Sequence, residues 1–97
     1  MKLIREILYK VEINSVIGNT SLTINKIEFD SRLINEGDMY VAIKGVNVDG
    51  HDFITQAIQN GANCIICEKT PDQKVDDVVY VNVSSSRKAL AIISSNY

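Results

Sequence analysis

Two short loops carry most of the side chains that could recognise a small polar ligand. The first is Phe29-Asp30-Ser31-Arg32, which directly follows a predicted strand. The second runs from Gly45 to Gly50 and directly follows the next predicted strand. A serine hydroxyl, the amide of Asn47 and free backbone amides can match carbonyl acceptors and an N–H donor, while phenylalanine and valine side chains can cover a flat ring. A pyrimidine such as uracil presents these groups.

The same residues also have a structural interpretation. The pair Asp30-Ser31 is typical of turns, and Asn47 between glycines favours a turn as well. Arg32 could hold its own loop in place by pairing with Asp30 or with Asp38. From the residues alone, both interpretations stay open, and the sequence supports a small α/β ligand-binding domain or a part of a larger protein.

Catalytic motifs are absent from the sequence. There is no G-x-x-x-x-G-K-[ST] for a nucleoside triphosphate, no G-x-G-x-x-G and no G-x-S-x-G. The only histidine, His51, is more typical of a helix start than of a general base. Cys64 and Cys67 have the C-x-x-C spacing, but no second pair is present to complete a zinc site. We interpret them as buried strand residues on opposite faces, and we expect neither a catalytic residue nor a metal site.

The composition of the chain argues against two classes of partner, nucleic acids and membranes. The chain has 97 residues, of which 45% are hydrophobic and 23% charged, and its net charge is −2. That length supports one domain at most. The charges are scattered, which argues against a nucleic-acid partner because such partners need a basic face. No apolar run approaches the roughly 20 residues of a membrane span, and free cysteines suit a reducing compartment, so we predict a cytoplasmic protein with no membrane partner.

Hydrophobic periodicity predicts the elements that position the two loops. A helical stripe covers residues 2–11, short strands lie near 22–24 and 27–29, and residues 30–37 form a loop. Strand, helix and strand over residues 38–68 predict a βαβ unit, with Asn60-Gly61 ending its helix. A strand over 78–83 and a last helix capped within 84–86 complete the chain. The fold class is therefore α/β, with the two loops at the carboxyl ends of neighbouring strands, where open sheets bind ligands.

From about Ile27 to the end, several motifs occur in a fixed order: Asp30-Ser31-Arg32, Gly37–Gly45, Asp49–Ile54, Ala57-Ile58, Gly61-Ala62, Glu68 and Arg87–Leu90. This order and spacing resemble the N-terminal domain of the Mur ligases, the ATP-dependent amide-forming enzymes of peptidoglycan synthesis. The resemblance is greatest to the MurE branch, which adds the third amino acid to UDP-N-acetylmuramoyl-L-alanyl-D-glutamate. The equivalent domain of the MurF branch, or a free-standing binding module without catalytic activity, is the alternative.

The resemblance implies a small mixed, largely parallel sheet flanked by helices, and a role in cell-wall biogenesis, cell shape and cell division. It also implies a three-domain enzyme, of which residues 1–97 are the single UDP-substrate-binding domain. The last helix reaches Tyr97 without a cap or a breaker, so we expect the central ATPase domain and the C-terminal domain to follow in cis. ATP and magnesium then belong to the full-length enzyme, this part holds no cofactor, and alone it has no ligase activity.

The resemblance places the contacts to the uridine of the UDP-N-acetylmuramoyl-dipeptide on both loops. By position in the family motifs, the binding residues are Phe29, Ser31, Val46, Asn47 and Val48. Asp30 and Arg32 are expected to support them. Two of these positions are valines, so their contacts are expected to be made by the backbone, and Asn47 supplies the polar side chain.

Overall fold

The computed structural model describes all of residues 1–97. The chain forms seven strands and three α-helices. In order they are β1 (Lys2–Leu3), α1 (Ile4–Ile7), β2 (Ile13–Ile17), β3 (Thr23–Ile24), β4 (Ile27–Glu28), β5 (Met39–Val41), α2 (Ile54–Gln59), β6 (Cys64–Cys67), β7 (Val79–Val83) and α3 (Ser86–Asn96). Two 3₁₀ turns, Ser31–Leu33 and Gly50–Phe53, lie in the loops after β4 and β5.

The main sheet has the strand order β2-β7-β6-β5-β4. The strands β4, β5, β6 and β7 are parallel to one another, and β2 joins β7 antiparallel at the edge. The two short strands β1 and β3 form a separate antiparallel pair. This arrangement confirms the predicted α/β fold with a small mixed, largely parallel sheet flanked by helices. The predicted βαβ unit is confirmed too, because Met39 pairs with Cys64 and Val41 with Ile66.

At its three central strands, β5, β6 and β7, the sheet is buried on both faces, which explains why these strands are almost entirely apolar. One face packs against α1 and α3, and its buried strand residues include Met39, Val41 and Ile66. The other face packs against α2 and includes Tyr40 and Ile65. Neighbouring strand residues therefore belong to different cores, as the two-residue period of a strand requires.

The two cysteines follow this alternation. Cys64 lies in the core under α1 and α3, whereas Cys67 lies in the core under α2. Both are free thiols and fully buried. Burial raises the pKa of each thiol, so neither is poised as a nucleophile. The prediction of two buried strand residues on opposite faces is confirmed.

The amino-terminal region differs from the prediction of one helix over residues 2–11. Lys2–Leu3 is a strand, and α1 covers only Ile4–Ile7. The stripe is real, since Ile4 and Ile7 are completely buried, but it spans little more than one turn. Lys10 then adopts a φ of 66°, which is outside the right-handed helical region and turns the chain away.

The residues at two helix ends agree with the prediction. Ser85 caps α3, with its hydroxyl accepting a hydrogen bond from the Lys88 amide. Gly61 ends the α2 segment with a φ of +114°, a conformation that L side chains rarely adopt. The loop predicted over residues 30–37 holds a single 3₁₀ turn, because the Asp30 carboxylate caps it.

No helix of the structure combines the length and apolar character that crossing a membrane requires.

Candidate ligand-binding site at the carboxyl ends of the parallel strands

A cavity of about 650 Å³ lies where β4 and β5 end. The two strands are parallel, with Ile27 beside Met39, so the loops that follow them meet at one edge of the sheet. The lining comes from both loops, from β5, from α2 and from the start of α3. Its members are Phe29, Asp30, Ser31, Arg32, Tyr40, Ile43, Gly45, Val48, Gly50, Phe53, Gln56 and Arg87.

Five of the seven residues predicted for the site line this cavity: Phe29, Asp30, Ser31, Arg32 and Val48. The side chains of Val46 and Asn47 lie elsewhere, on the exposed tip of the second loop, where Val46 is 99% exposed. A second cavity of about 600 Å³ lies between α2 and residues 69–75, and none of the predicted residues lines it. No group of three or more potential metal-ligating side chains converges anywhere in the structure.

Asp30 and Arg32 hold the first loop in one conformation. The Arg32 guanidinium donates two hydrogen bonds to the Asp30 carboxylate, at 3.0 and 2.8 Å. The Arg32 backbone amide donates a third at 3.0 Å. The hydrogen bonds from Arg32 lower the pKa of Asp30 to about 2. Arg32 therefore pairs with Asp30 and not with Asp38, which binds Lys26 instead at 2.9 Å.

Ser31 lies at the floor of the cavity and is only 5% exposed. Its hydroxyl donates to the Gln56 side-chain carbonyl at 2.6 Å, and its own carbonyl accepts from the Asn60 amide at 2.9 Å. Both partners belong to α2 or its end. The first loop is thereby fixed to α2, and the serine hydroxyl keeps its acceptor lone pairs for a ligand.

The second loop is closed by backbone bonds and by one tyrosine. The Gly45 amide donates to the Val48 carbonyl and the Gly50 amide to the Ile43 carbonyl, each at 2.8 Å. From β5, the Tyr40 hydroxyl donates to the Gly50 carbonyl at 2.7 Å. A Cβ on Gly50 would lie 2.7 Å from the Ile43 nitrogen, so this close approach requires glycine.

His51 joins the second loop to the end of β6. Its Nδ1 lies 2.7 Å from the Asp49 carboxylate, and its Nε2 accepts from the Glu68 amide at 2.9 Å. Because Nε2 accepts, we assign the neutral ring with its proton on Nδ1, donated to Asp49. The hydrogen bond from the His51 backbone amide, followed by that from its ring, lowers the pKa of Asp49. Both ring nitrogens are engaged, so the geometry gives His51 a positioning role.

Seven lining residues were not predicted, and four of them have aromatic or polar side chains: Tyr40, Phe53, Gln56 and Arg87. Tyr40 carried a usable signal, because a phenol in an otherwise apolar strand needs a partner for its hydroxyl. Its burial raises the pKa of Tyr40 to about 12. The other three approach the cavity only through the packing of α2 and α3 on the sheet, which no local pattern reveals.

The chain combines an α/β fold with a cavity at the carboxyl ends of its parallel strands, and comparison with known proteins assigns the chain to one family. A model described as "Mur ligase family, catalytic domain" matches residues 23–97. The chain belongs to the Mur ligase family.

The similar curated proteins belong to one branch of it. A UDP-N-acetylmuramoyl-L-alanyl-D-glutamate--2,6-diaminopimelate ligase of Cytophaga hutchinsonii is 40% identical over 95 residues, which cover 97% of this chain and 20% of that protein. The enzyme of the same name from Clostridium tetani is 42% identical over 99 residues, covering 100% of this chain and 20% of the relative. The predicted resemblance to the MurE branch is confirmed. The chain spans about a fifth of the length of these relatives.

Solved structures confirm the fold. A crystal structure of MurF from Acinetobacter baumannii superposes with a TM-score of 0.78 at 26% identity, over 97% of this chain and 20% of that one. The MurF ligase of Thermotoga maritima, solved in complex with ADP, gives a TM-score of 0.64 at 40% identity, over 75% of this chain and 16% of that one.

Proposed function

We propose that this chain binds the UDP moiety of UDP-N-acetylmuramoyl-L-alanyl-D-glutamate within a ligase that adds 2,6-diaminopimelate to that substrate. The observation that carries the proposal is the single cavity into which Phe29, Ser31 and Val48 converge. These are three of the five residues that the family resemblance implies for uridine. The names of the similar proteins support the substrate and the added amino acid.

The cavity and the tip of the second loop together offer groups that suit a pyrimidine nucleotide. Phe29 is 61% exposed although it is a large aromatic residue, so covering its ring with a base removes apolar surface from water. Ser31 offers acceptor lone pairs beside it, and the second loop offers backbone amides at its exposed tip. Both loops are already fixed by hydrogen bonds, which lowers the ordering cost of binding.

The chemical step requires parts that this sequence does not contain. No phosphate-binding G-x-x-x-x-G-K-[ST] motif is present. We place ATP, magnesium and the amino-acid pocket in further domains of a full-length cytoplasmic ligase, joined to this one in cis. The 97-residue chain alone is then inactive, and ATP-dependent amide formation by the purified chain would contradict this. Such a motif in the codons that follow residue 97 would support it.

A MurF-type ligase is the alternative. The MurF structures share the fold with this chain. The curated relatives, at 40% and 42% identity over nearly the whole chain, are 2,6-diaminopimelate ligases. We therefore favour the MurE assignment.

Nuclear magnetic resonance titration of the chain with uridine, UDP and the UDP-muramyl dipeptide tests the site. We expect shifts at Phe29–Ser31 and 45–48. Phe29→Ala should weaken binding about fivefold to tenfold, since an aromatic contact is worth roughly 1 kcal/mol. Leu33→Ala is the matched control: it also truncates an exposed apolar side chain near the same turn, 56% exposed, but Leu33 lies outside the cavity lining. Equal losses in the two variants, or shifts centred on residues 69–75, would overturn the proposed site.

A further inference from the structure

The cavity holds one cation that no carboxylate neutralises. Arg32 is occupied by Asp30 through a bidentate pair. Arg87, in the first turn of α3, also lines the cavity and is exposed. No carboxylate lies within 4.0 Å of its guanidinium. Its one hydrogen bond runs from Nη2 to the Lys44 carbonyl, at a long 3.4 Å.

Two further carboxylates at this edge of the sheet already have partners. Asp49 receives the His51 ring and backbone amide. Glu68 accepts from the Ser86 amide at 2.8 Å, so a negative charge already satisfies the amino end of α3. An anion in the cavity would therefore interact with the Arg87 guanidinium and not with the helix terminus.

The strand order sets the distance between Arg87 and the residues proposed to bind the base. Phe29 follows β4 at one edge of the sheet, and Arg87 begins the helix after β7, three strands away. At about 4.8 Å per strand, the ends of β4 and β7 are about 14 Å apart. The Arg87 side chain reaches back across β6 to the Lys44 carbonyl at the end of β5. A nucleotide with its base near Phe29 reaches Arg87 if its phosphates extend along this line.

We propose that Arg87 binds a phosphate of the nucleoside diphosphate whose pyrimidine occupies the Phe29 end of the cavity. This inference rests on the proposed function and adds a residue that discriminates a nucleotide from a nucleoside. A guanidinium suits the task because its planar fork donates two parallel hydrogen bonds to phosphate oxygens. Its weak contact with the Lys44 carbonyl is easily exchanged for them.

Calorimetric titration of the 97-residue chain with uridine, UMP and UDP tests the proposal. Arg87→Gln should weaken UDP binding about tenfold or more, the range of a charge-assisted hydrogen bond, and leave uridine binding within about twofold. Arg87→Lys keeps the charge without the fork, so its affinity for UDP should lie between those of the wild type and Arg87→Gln. Lys88→Gln is the control: it removes the same charge from the next residue, which faces a different cavity beside Val11.

The outcomes separate the two proposals. If Arg87→Gln weakens uridine and UDP equally, or if Lys88→Gln weakens UDP as much, the arginine acts through loop structure or general charge, and this inference is wrong while the proposed function stands. The inference is also wrong, and the proposed function still stands, if the wild-type chain binds UDP no more tightly than uridine. If the wild-type chain binds neither uridine nor UDP, the proposed function fails and the role of Arg87 fails with it.

Discussion

Tyr40 connects the buried sheet to the wall of the cavity, so removing its hydroxyl tests the structure at both places. The side chain is 1% exposed, and its hydroxyl donates to the Gly50 carbonyl at 2.7 Å. Tyr40→Phe keeps the ring and removes only this hydrogen bond. At about pH 8 we expect the free energy of unfolding to fall by about 1 kcal/mol, the usual net value of one such bond.

The same hydroxyl makes the chain sensitive to alkali. Burial first, and then the charges of Asp30 and Asp49, raise the pKa of Tyr40 from 10.0 to about 12. The pKa of Tyr40 is higher in the folded state than in the unfolded state. The stabilisation that comes from the protonated phenol is therefore fully present below pH 10 and is lost as the pH rises towards 12. At roughly 1.36 kcal/mol per pKa unit, two units correspond to about 2.7 kcal/mol. Phenylalanine has no such loss, so the deficit of Tyr40→Phe should vanish near pH 11 and then reverse.

Urea unfolding followed by circular dichroism at about pH 8, 10 and 11.5 measures the difference between the two chains. All other titrating groups are shared, so they cancel in that difference. Tyr9→Phe is the matched control, since Tyr9 is 65% exposed, and it should match the wild type throughout. A difference between Tyr40→Phe and the wild type that stays constant from pH 8 to 11.5 would refute the reasoning.

Two further changes test the backbone and the core. Gly61→Ala should lower the free energy of unfolding by at least about 2 kcal/mol, because φ is +114° and the new Cβ would lie 2.5 Å from the Glu36 Cα. Gly18→Ala shares the positive φ but has its nearest neighbour at 3.1 Å, so a loss as large in urea unfolding would contradict the steric part of the argument. Cys64 and Cys67 should resist a thiol-specific reagent in the native chain and react in urea, because burial raises both pKa values; rapid labelling of the native chain would show that one of them is accessible.

The central sheet was predictable because burial on both faces is written into its sequence. The segments around Met39–Val41, Cys64–Cys67 and Val79–Val83 are nearly continuous apolar runs, each bounded by glycine or polar residues. A run of that kind has few structural alternatives in a short α/β chain. The parallel pairing of the first two segments then followed from the helix between them.

The edge of the sheet carried no comparable signal. All five residues of β2 are exposed, so no buried face imposed an alternating pattern on them. The strand exists because its backbone pairs with β7, a partner more than 60 residues away in the chain. Such long-range pairing at an edge cannot be recognised from hydrophobic periodicity.

The two loops of the site were predictable for a topological reason, and Arg87 was not. Loops that follow neighbouring parallel strands must meet at one edge of the sheet, so the proximity of Phe29 and Val48 could be predicted from the sequence. Arg87 depends on where β7 lies in the strand order, on the way α3 begins there, and on the length of an arginine side chain. None of these is encoded locally.

Two lining residues of the cavity are fixed by hydrogen bonds to different elements: Ser31 by Gln56 of α2, and Gly50 by Tyr40 of β5. His51 follows Gly50 outside the lining and is held by the backbone at the end of β6. Because these bonds lie within the described chain, the pocket is formed before any ligand arrives. Affinity can then come from groups with few contacts of their own, namely the exposed ring of Phe29 and the guanidinium of Arg87, whose one hydrogen bond is long. The arrangement supports the proposed function, in which this unit recognises the nucleotide substrate separately from the ATP chemistry that we assign to further domains.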